Sequence, residues 1–243
     1  MAVRKALEFI FIITVLLSAL PVNALAEDRD FCSVNIVLDP GHGGEDGGAV
    51  APDGTLEADI NLEIVLIMRD ILGLYGLEPV LTRDSAELSY PADVVSIREK
   101  KVWDQRCRLA MIDNTPNALL VSVHQNQYSA PTAKGAEVLY APTDGSNTLA
   151  VWLQTLIVTE IDPQNNRTEG QISEDIWLMN HVHCPAVLVE CGFLSNPAEL
   201  DLLKNKTYQR NFAAVLVSGL LTWTDTHVEY GGIFHGENSV FLH

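Results

Sequence analysis

Val34-Asn-Ile-Val-Leu-Asp-Pro-Gly-His42 is an apolar run that stops on an aspartate, a turn and a histidine. Two later stretches repeat the design: Leu119-Leu-Val-Ser-Val-His124 and Ala186-Val-Leu-Val-Glu190. Runs of Val, Leu and Ile with polar residues only at their ends suit strands buried on both faces of a parallel sheet. In open α/β sheets, ligands bind outside the carboxyl ends of the strands, which is where His42, His124 and Glu190 would stand. Glu57, 15 positions after His42, adds a second carboxylate to the same crevice. Two His and one Glu with an open fourth position form a catalytic zinc arrangement, and the other Glu would serve as the base. These residues point to a zinc hydrolase.

The rest of the chain fits that architecture. Strands are predicted at 34–38, 78–82, 118–123, 136–140, 175–179 and 186–189. Helical periodicity falls between and after them, at 59–75, 94–112, 147–161, 197–203 and 208–223. Gly76 and Asn114-Thr-Pro116 supply stop signals for the first two helices. The alternation predicts an α/β fold, a three-layer domain with a central, mostly parallel six-stranded sheet flanked by helices.

The chain has 243 residues, 47% of them hydrophobic and 19% charged, enough for one sizeable core. Arg4 and Lys5 precede an apolar stretch at 9–20, followed by Pro21 and Ala24-Leu25-Ala26. That layout is a secretory signal peptide at 1–26, leaving a single catalytic domain at 27–243 with its core at about 34–223 and a polar tail at 224–243. An uncleaved anchor is the other reading, but the strongly apolar part is short for a span. The tail carries His227, His235 and His243. The formal net charge is −17, with 15 basic against 32 acidic residues, which excludes a nucleic-acid partner held by Lys and Arg. It also disfavours adhesion to anionic membranes or wall polymers through charge alone. Cys32, Cys107, Cys184 and Cys191 show no Cys-x-x-Cys spacing, so a cysteine zinc site is not expected. Buried free thiols are the simpler reading for Cys184 and Cys191, which flank an apolar strand.

Glycines surround His42 in Asp39-Pro-Gly-His-Gly-Gly-Glu-Asp-Gly-Gly48, so the loop can turn sharply and approach a ligand. A dinucleotide fingerprint from Gly41 would need glycine where Asp46 stands, and a P-loop from Gly43 would need lysine where Ala49 stands. Two carboxylates in the loop would also repel phosphate. Taken alone, Glu57 suits a solvated first-turn carboxylate favoured by the helix dipole. Glu190 is harder to explain that way, because a charge closing an apolar strand is costly unless it is paired or beside a metal.

At these residues the chain resembles the zinc-dependent N-acetylmuramoyl-L-alanine amidases of bacterial cell walls. The matching stretches are Asp39-Pro-Gly-His-Gly-Gly44, Leu56-Glu57-Ala-Asp59, Leu81-Thr-Arg83, Ser122-Val-His124-Gln-Asn126 and Val187-Leu-Val-Glu190-Cys-Gly-Phe-Leu-Ser-Asn-Pro197. They occur in the family's order over about 34–223. The resemblance implies one zinc ion (Zn2+) per chain on His42, Glu57 and His124, Glu190 as the catalytic carboxylate, and peptidoglycan as substrate. Ala58 stands where a lysine is common, and Gln125 and Gln127 replace small residues. Ile97-Arg-Glu-Lys-Lys-Val-Trp-Asp104-Gln-Arg-Cys-Arg108 and Asp175-Ile-Trp-Leu-Met-Asn180 look like the single-domain, signal-bearing amidases of spore cortex. Those enzymes cooperate with a peptidoglycan deacetylase to make muramic lactam, and the narrower resemblance also raises an activating lipoprotein as partner.

Other readings remain open from the sequence: a vegetative autolysin of the same chemistry, a zinc metallopeptidase, or a wall-binding protein without activity. Arg83 and Arg108 are expected to pack or form ion pairs rather than clamp substrate. Arg167 stands in a loop that could reach glycan or peptide. His181 and His183 are expected at the surface, and Trp152 and Trp177 against the sheet.

Overall fold

The computed structural model describes residues 34–227. The expected leader 1–26, Cys32, and the tail from 228 onward with His235 and His243 lie outside the described residues. Among the described residues the elements run β1 (Asn35–Pro40), α1 (Glu57–Leu74), β2 (Val80–Leu81), α2 (Ile97–Asp113), β3 (Ala118–Asn126), β4 (Glu137–Tyr140), α3 (Ser146–Glu160), β5 (Gly170–Gln171), β6 (Ala186–Phe193), α4 (Pro197–Leu203) and α5 (Lys206–His227). Six strands form one sheet in the order β2-β1-β3-β6-β4-β5. All neighbours are parallel except β4 and β6, which are antiparallel.

The central strands are apolar on both sides because both sides are covered. Leu38, Val121, Val123, Val187 and Val189 face one cluster, which takes in Ile60, Ile64, Val65, Met68 and Leu72 of α1 together with residues of α3, α4 and α5. Val37, Leu120, Ala186 and Leu188 face the other, with Ile112 of α2 and the segment around Leu178 and Met179. The expected three layers are present, with helices on both faces.

The helix ends follow local chemistry. Ser96 caps α2 in a full capping box with Glu99. Asn196 accepts from the main-chain N–H groups of Ala198 and Glu199 at the start of α4, with Pro197 in the first turn. Gly76, at φ 75°, follows α1 where a stop was expected.

Two expectations need correction. Residues 175–179 are not a strand; the segment is turn-rich. Its Leu178 and Met179 bury into the second cluster, so the apolar run reflects packing onto the sheet rather than pairing within it. The sixth strand is instead Gly170–Gln171, paired with Leu139 and Tyr140. In addition, β3 runs to Asn126 and β6 to Phe193, so His124 and Glu190 lie within the last turns of pairing rather than beyond it.

Candidate metal centre

The carboxyl ends of β1, β3 and β6 form one edge and bring His42, His124 and Glu190 there, with Glu57 joining from the start of α1. His124 and Glu190 are cross-strand neighbours in the β3–β6 ladder, just before its register shifts. His42 follows β1 on the glycine-rich loop, whose Gly41 N–H bonds the Val123 carbonyl at 3.0 Å. The loop folds back so that Ala49 and Gly47 carbonyls accept from the Glu57 and Ala58 N–H groups, at 2.9 and 3.1 Å, capping α1. That contact delivers Glu57 to the site.

Glu57 is buried, not the solvated first-turn carboxylate its position alone suggests. Its Oε2 accepts from the Ala49 N–H at 2.8 Å. Its Oε1 lies 2.9 Å from His124 Nδ1, 3.3 Å from His42 Nε2, and accepts from the Gln125 N–H at 3.1 Å. The two imidazoles meet edge to face, 5.1 Å between centroids. One ligand atom from each of His42, Glu57 and His124 lies within 4.8 Å of the others, a group that could hold a metal ion. Gly41 makes this approach possible, since a Cβ there would stand 2.2 Å from the His124 ring.

The donor set suits zinc. Imidazoles suit borderline ions such as zinc, and hard ions such as magnesium or calcium favour all-oxygen sites. Three protein donors also leave the fourth position that catalytic zinc sites keep for reactants.

Electrostatics bind the cluster together. Burial alone would lower the His42 pKa; the adjacent carboxylates of Asp46 and Glu57 overcome it and raise the pKa to about 9. Burial would raise Glu57, yet hydrogen bonds from His124 and His42 hold its carboxyl well below the usual range. Glu190 moves the other way. Burial pushes it up to about 7, opposed by His124 and reinforced by Glu57 and Glu137. Its Oε2 is buried and, among the described residues, has no hydrogen-bond partner.

Sequence reasoning overlooked several supporting residues. Asp46 Oδ2 lies 3.0 Å from His42 Nδ1, four residues along the loop, and so orients the ring. Asn61, one turn beyond Glu57, donates to the Gly41 carbonyl at 3.1 Å and accepts from Gln125 Nε2 at 3.1 Å. The i to i+4 spacing of His42 and Asp46 was visible; the long-range bond of Gln125 to Asn61 was not. Arg83 and Arg108 are both buried, as expected, but most of their bonds go to main-chain carbonyls. Arg167 Nη1 pairs with Glu137 Oε2 at 2.7 Å, opposite Glu190 across the β4–β6 ladder. His181 and His183 are exposed and outside the cluster. Trp152 packs against the first core cluster and Trp177 against the second. Cys107, Cys184 and Cys191 are free thiols.

The fold and the site together define an α/β protein with a His-Glu-His cluster and an isolated carboxylate at the carboxyl edge of its sheet. A family model described as N-acetylmuramoyl-L-alanine amidase matches residues 36–222, and the chain belongs to that family of enzymes. It is 33% identical over 189 residues to the germination-specific N-acetylmuramoyl-L-alanine amidase of Bacillus subtilis, covering 77% of this chain and 78% of that one. Among solved structures, the CwlD amidase from Clostridioides difficile in complex with the GerS lipoprotein is similar at a TM-score of 0.74 and 34% identity, over 79% of this chain and 98% of that one. The amidase AmiC2 of Nostoc punctiforme is similar at a TM-score of 0.67 and 28% identity, over 79% and 98%.

Proposed function

We propose that this chain hydrolyses the amide bond between N-acetylmuramic acid and L-alanine in peptidoglycan, with one zinc ion held by His42, Glu57 and His124 and with Glu190 as the catalytic carboxylate. The observation that carries this reading is the convergence of three donor atoms within 4.8 Å, on the sheet edge that also bears Glu190. A zinc ion in that position supplies Lewis acidity toward the amide carbonyl and acidifies water. Glu190 then takes a proton from the attacking water and returns it to the departing alanine nitrogen. Asp46 holds the His42 ring, and Asn61 and Gln125 hold Glu57, so the donors need little reorganisation. The products are a free lactyl carboxylate and a peptide that begins with L-alanine.

We assign the reaction to spore-cortex maturation, in cooperation with a peptidoglycan deacetylase that together yields muramic lactam. Support comes from the similarity to the germination-specific amidase and to CwlD. The CwlD complex with GerS supports an activating lipoprotein as partner. The leader-like composition of 1–26 supports export, with 27–243 acting as one catalytic domain in the cell wall or forespore intermembrane space.

The test is digestion of purified muropeptides by the zinc-loaded protein, read by mass spectrometry. New L-alanine amino termini together with peptide-free muramic acid, lost on chelation, are expected. Cleavage inside the stem peptide would mark a metallopeptidase instead.

A further inference from the structure

Two guanidinium groups lie buried behind the cluster and grip its backbone rather than its donor atoms. Arg108, from α2, donates from Nη1 to the Pro40 carbonyl at 2.8 Å and from Nη2 to the His42 carbonyl at 2.6 Å. Arg83 donates from Nε to the Pro40 carbonyl at 2.9 Å, and from Nη2 to the Gly41 and Ala58 carbonyls, each at 2.9 Å. Three consecutive carbonyls of the loop therefore point inward onto two forks. This coincides with the unusual backbone of His42, whose φ of 59° is disfavoured for a residue with a side chain and persists only where surroundings enforce it.

The same network reaches the other two donors. Asp39 accepts from Arg108 Nη1 at 2.6 Å, from Thr82 Oγ1 at 2.5 Å and from Ser122 Oγ at 2.6 Å. Ser122 stands two residues before His124 on β3, and Ala58 directly follows Glu57. Helix α2 has few other ties to the body, since its buried residues are Arg108 and Ile112. Its two lysines meet the same loop: Lys100 pairs with Glu45, and Lys101 Nζ lies 2.9 Å from Asp46 Oδ1. A fold-stabilising ion pair would need only the carboxylates of Asp39 and Asp104; bonds to the Pro40 and His42 carbonyls serve the loop.

We propose that Arg108, with Arg83 beside it, is a positioning residue for the metal centre: it holds the His42 main chain in its left-handed conformation and so sets the imidazole against Glu57 and His124. This inference rests on the zinc reading of that cluster. Lysine cannot replace the fork, because one ammonium has no planar pair of donors for carbonyls on either side.

The experiment measures zinc affinity by chelator competition for the wild type, Arg108→Lys, Asp104→Asn and Ile157→Ala. Thermal unfolding of each zinc-free protein and the visible spectrum of each cobalt-substituted protein are recorded alongside. Asp104 Oδ2 accepts from Arg108 Nε at 2.8 Å, so its amide variant loosens the fork more gently. Ile157 is fully buried on α3, an element that supplies no residue of the His42, Glu57 and His124 group, and serves as a stability control. Arg108→Lys is expected to bind zinc at least about tenfold more weakly, with an altered cobalt spectrum, and Asp104→Asn a few-fold more weakly. Ile157→Ala is expected to melt earlier yet keep wild-type affinity. Wild-type affinity in a folded Arg108→Lys protein would overturn the proposal, as would equal weakening in Ile157→Ala. If Arg108→Lys does not fold, unchanged affinity in Asp104→Asn overturns it. A wild type that binds no zinc would overturn the zinc reading itself, and this inference with it.

Discussion

At Glu57, a single carboxylate oxygen faces both imidazoles and two amide donors, so its loss disrupts more than one contact. Glu57→Gln and His124→Ala are each expected to abolish stoichiometric zinc, checked by elemental analysis after dialysis. Glu190→Gln is expected to keep zinc and lower kcat by about 10²-fold or more, the range for removing a general acid–base group. A Glu190→Gln enzyme with wild-type turnover would remove Glu190 from the mechanism. Asp39 carries a stability consequence instead. Burial opposes its ionisation, but Arg108, Ser122 and Thr82 hold its pKa at about 2, below the ordinary 3.8. A depressed folded pKa contributes stability that is complete above about pH 4 and is lost as pH falls toward 2, here about 2 kcal/mol. Asp39→Asn leaves buried Arg108 with Asp104 as its remaining carboxylate and should cost about 3 kcal/mol at neutral pH, the low end for breaking a buried pair. Urea unfolding at pH 7 and at low pH should show the gap between the two proteins narrowing by about 2 kcal/mol.

Among the elements, the loop between β1 and α1 carries the site because it is glycine-rich where contact is closest. Gly41→Ala would push a Cβ into the His124 ring, so zinc binding should fall while the helix content read by circular dichroism stays. Ser96→Ala removes the cap of α2 and should lower stability by about 1 kcal/mol in thermal unfolding. The central strands were legible because Val, Leu and Ile fill both faces of β1, β3 and β6. The edge was not: Gly170–Gln171 pairs through its backbone alone and leaves no side-chain pattern. The segment 175–179 misled for the opposite reason, since apolar side chains that seal a sheet face look like a strand. The residues proposed for the chemistry stood out because His124 and Glu190 lie near the carboxyl ends of apolar strands, His42 follows another by two residues, and Glu57 begins α1. The clamp of Arg83 and Arg108 was hidden, since its bonds run to carbonyls far along the chain.

Across the whole molecule, the three donors come from the β1 loop, α1 and β3, so an ion there ties together segments distant in sequence. Zinc at about 100 times its Kd is expected to add about 2.7 kcal/mol of stability, and chelator to remove it. For a domain of this size that is a rise of roughly 5–10 °C in Tm by calorimetry. A net charge of −17 disfavours recruitment of substrate through charge alone, so raising salt is expected to weaken turnover little. The most direct measurement is X-ray absorption at the zinc edge on the loaded wild-type protein. One zinc per chain with nitrogen and oxygen neighbours at about 2.0–2.2 Å, and no sulfur, is the expected result. Sulfur at about 2.3 Å, or two metals per chain, would contradict the assignment of His42, Glu57 and His124.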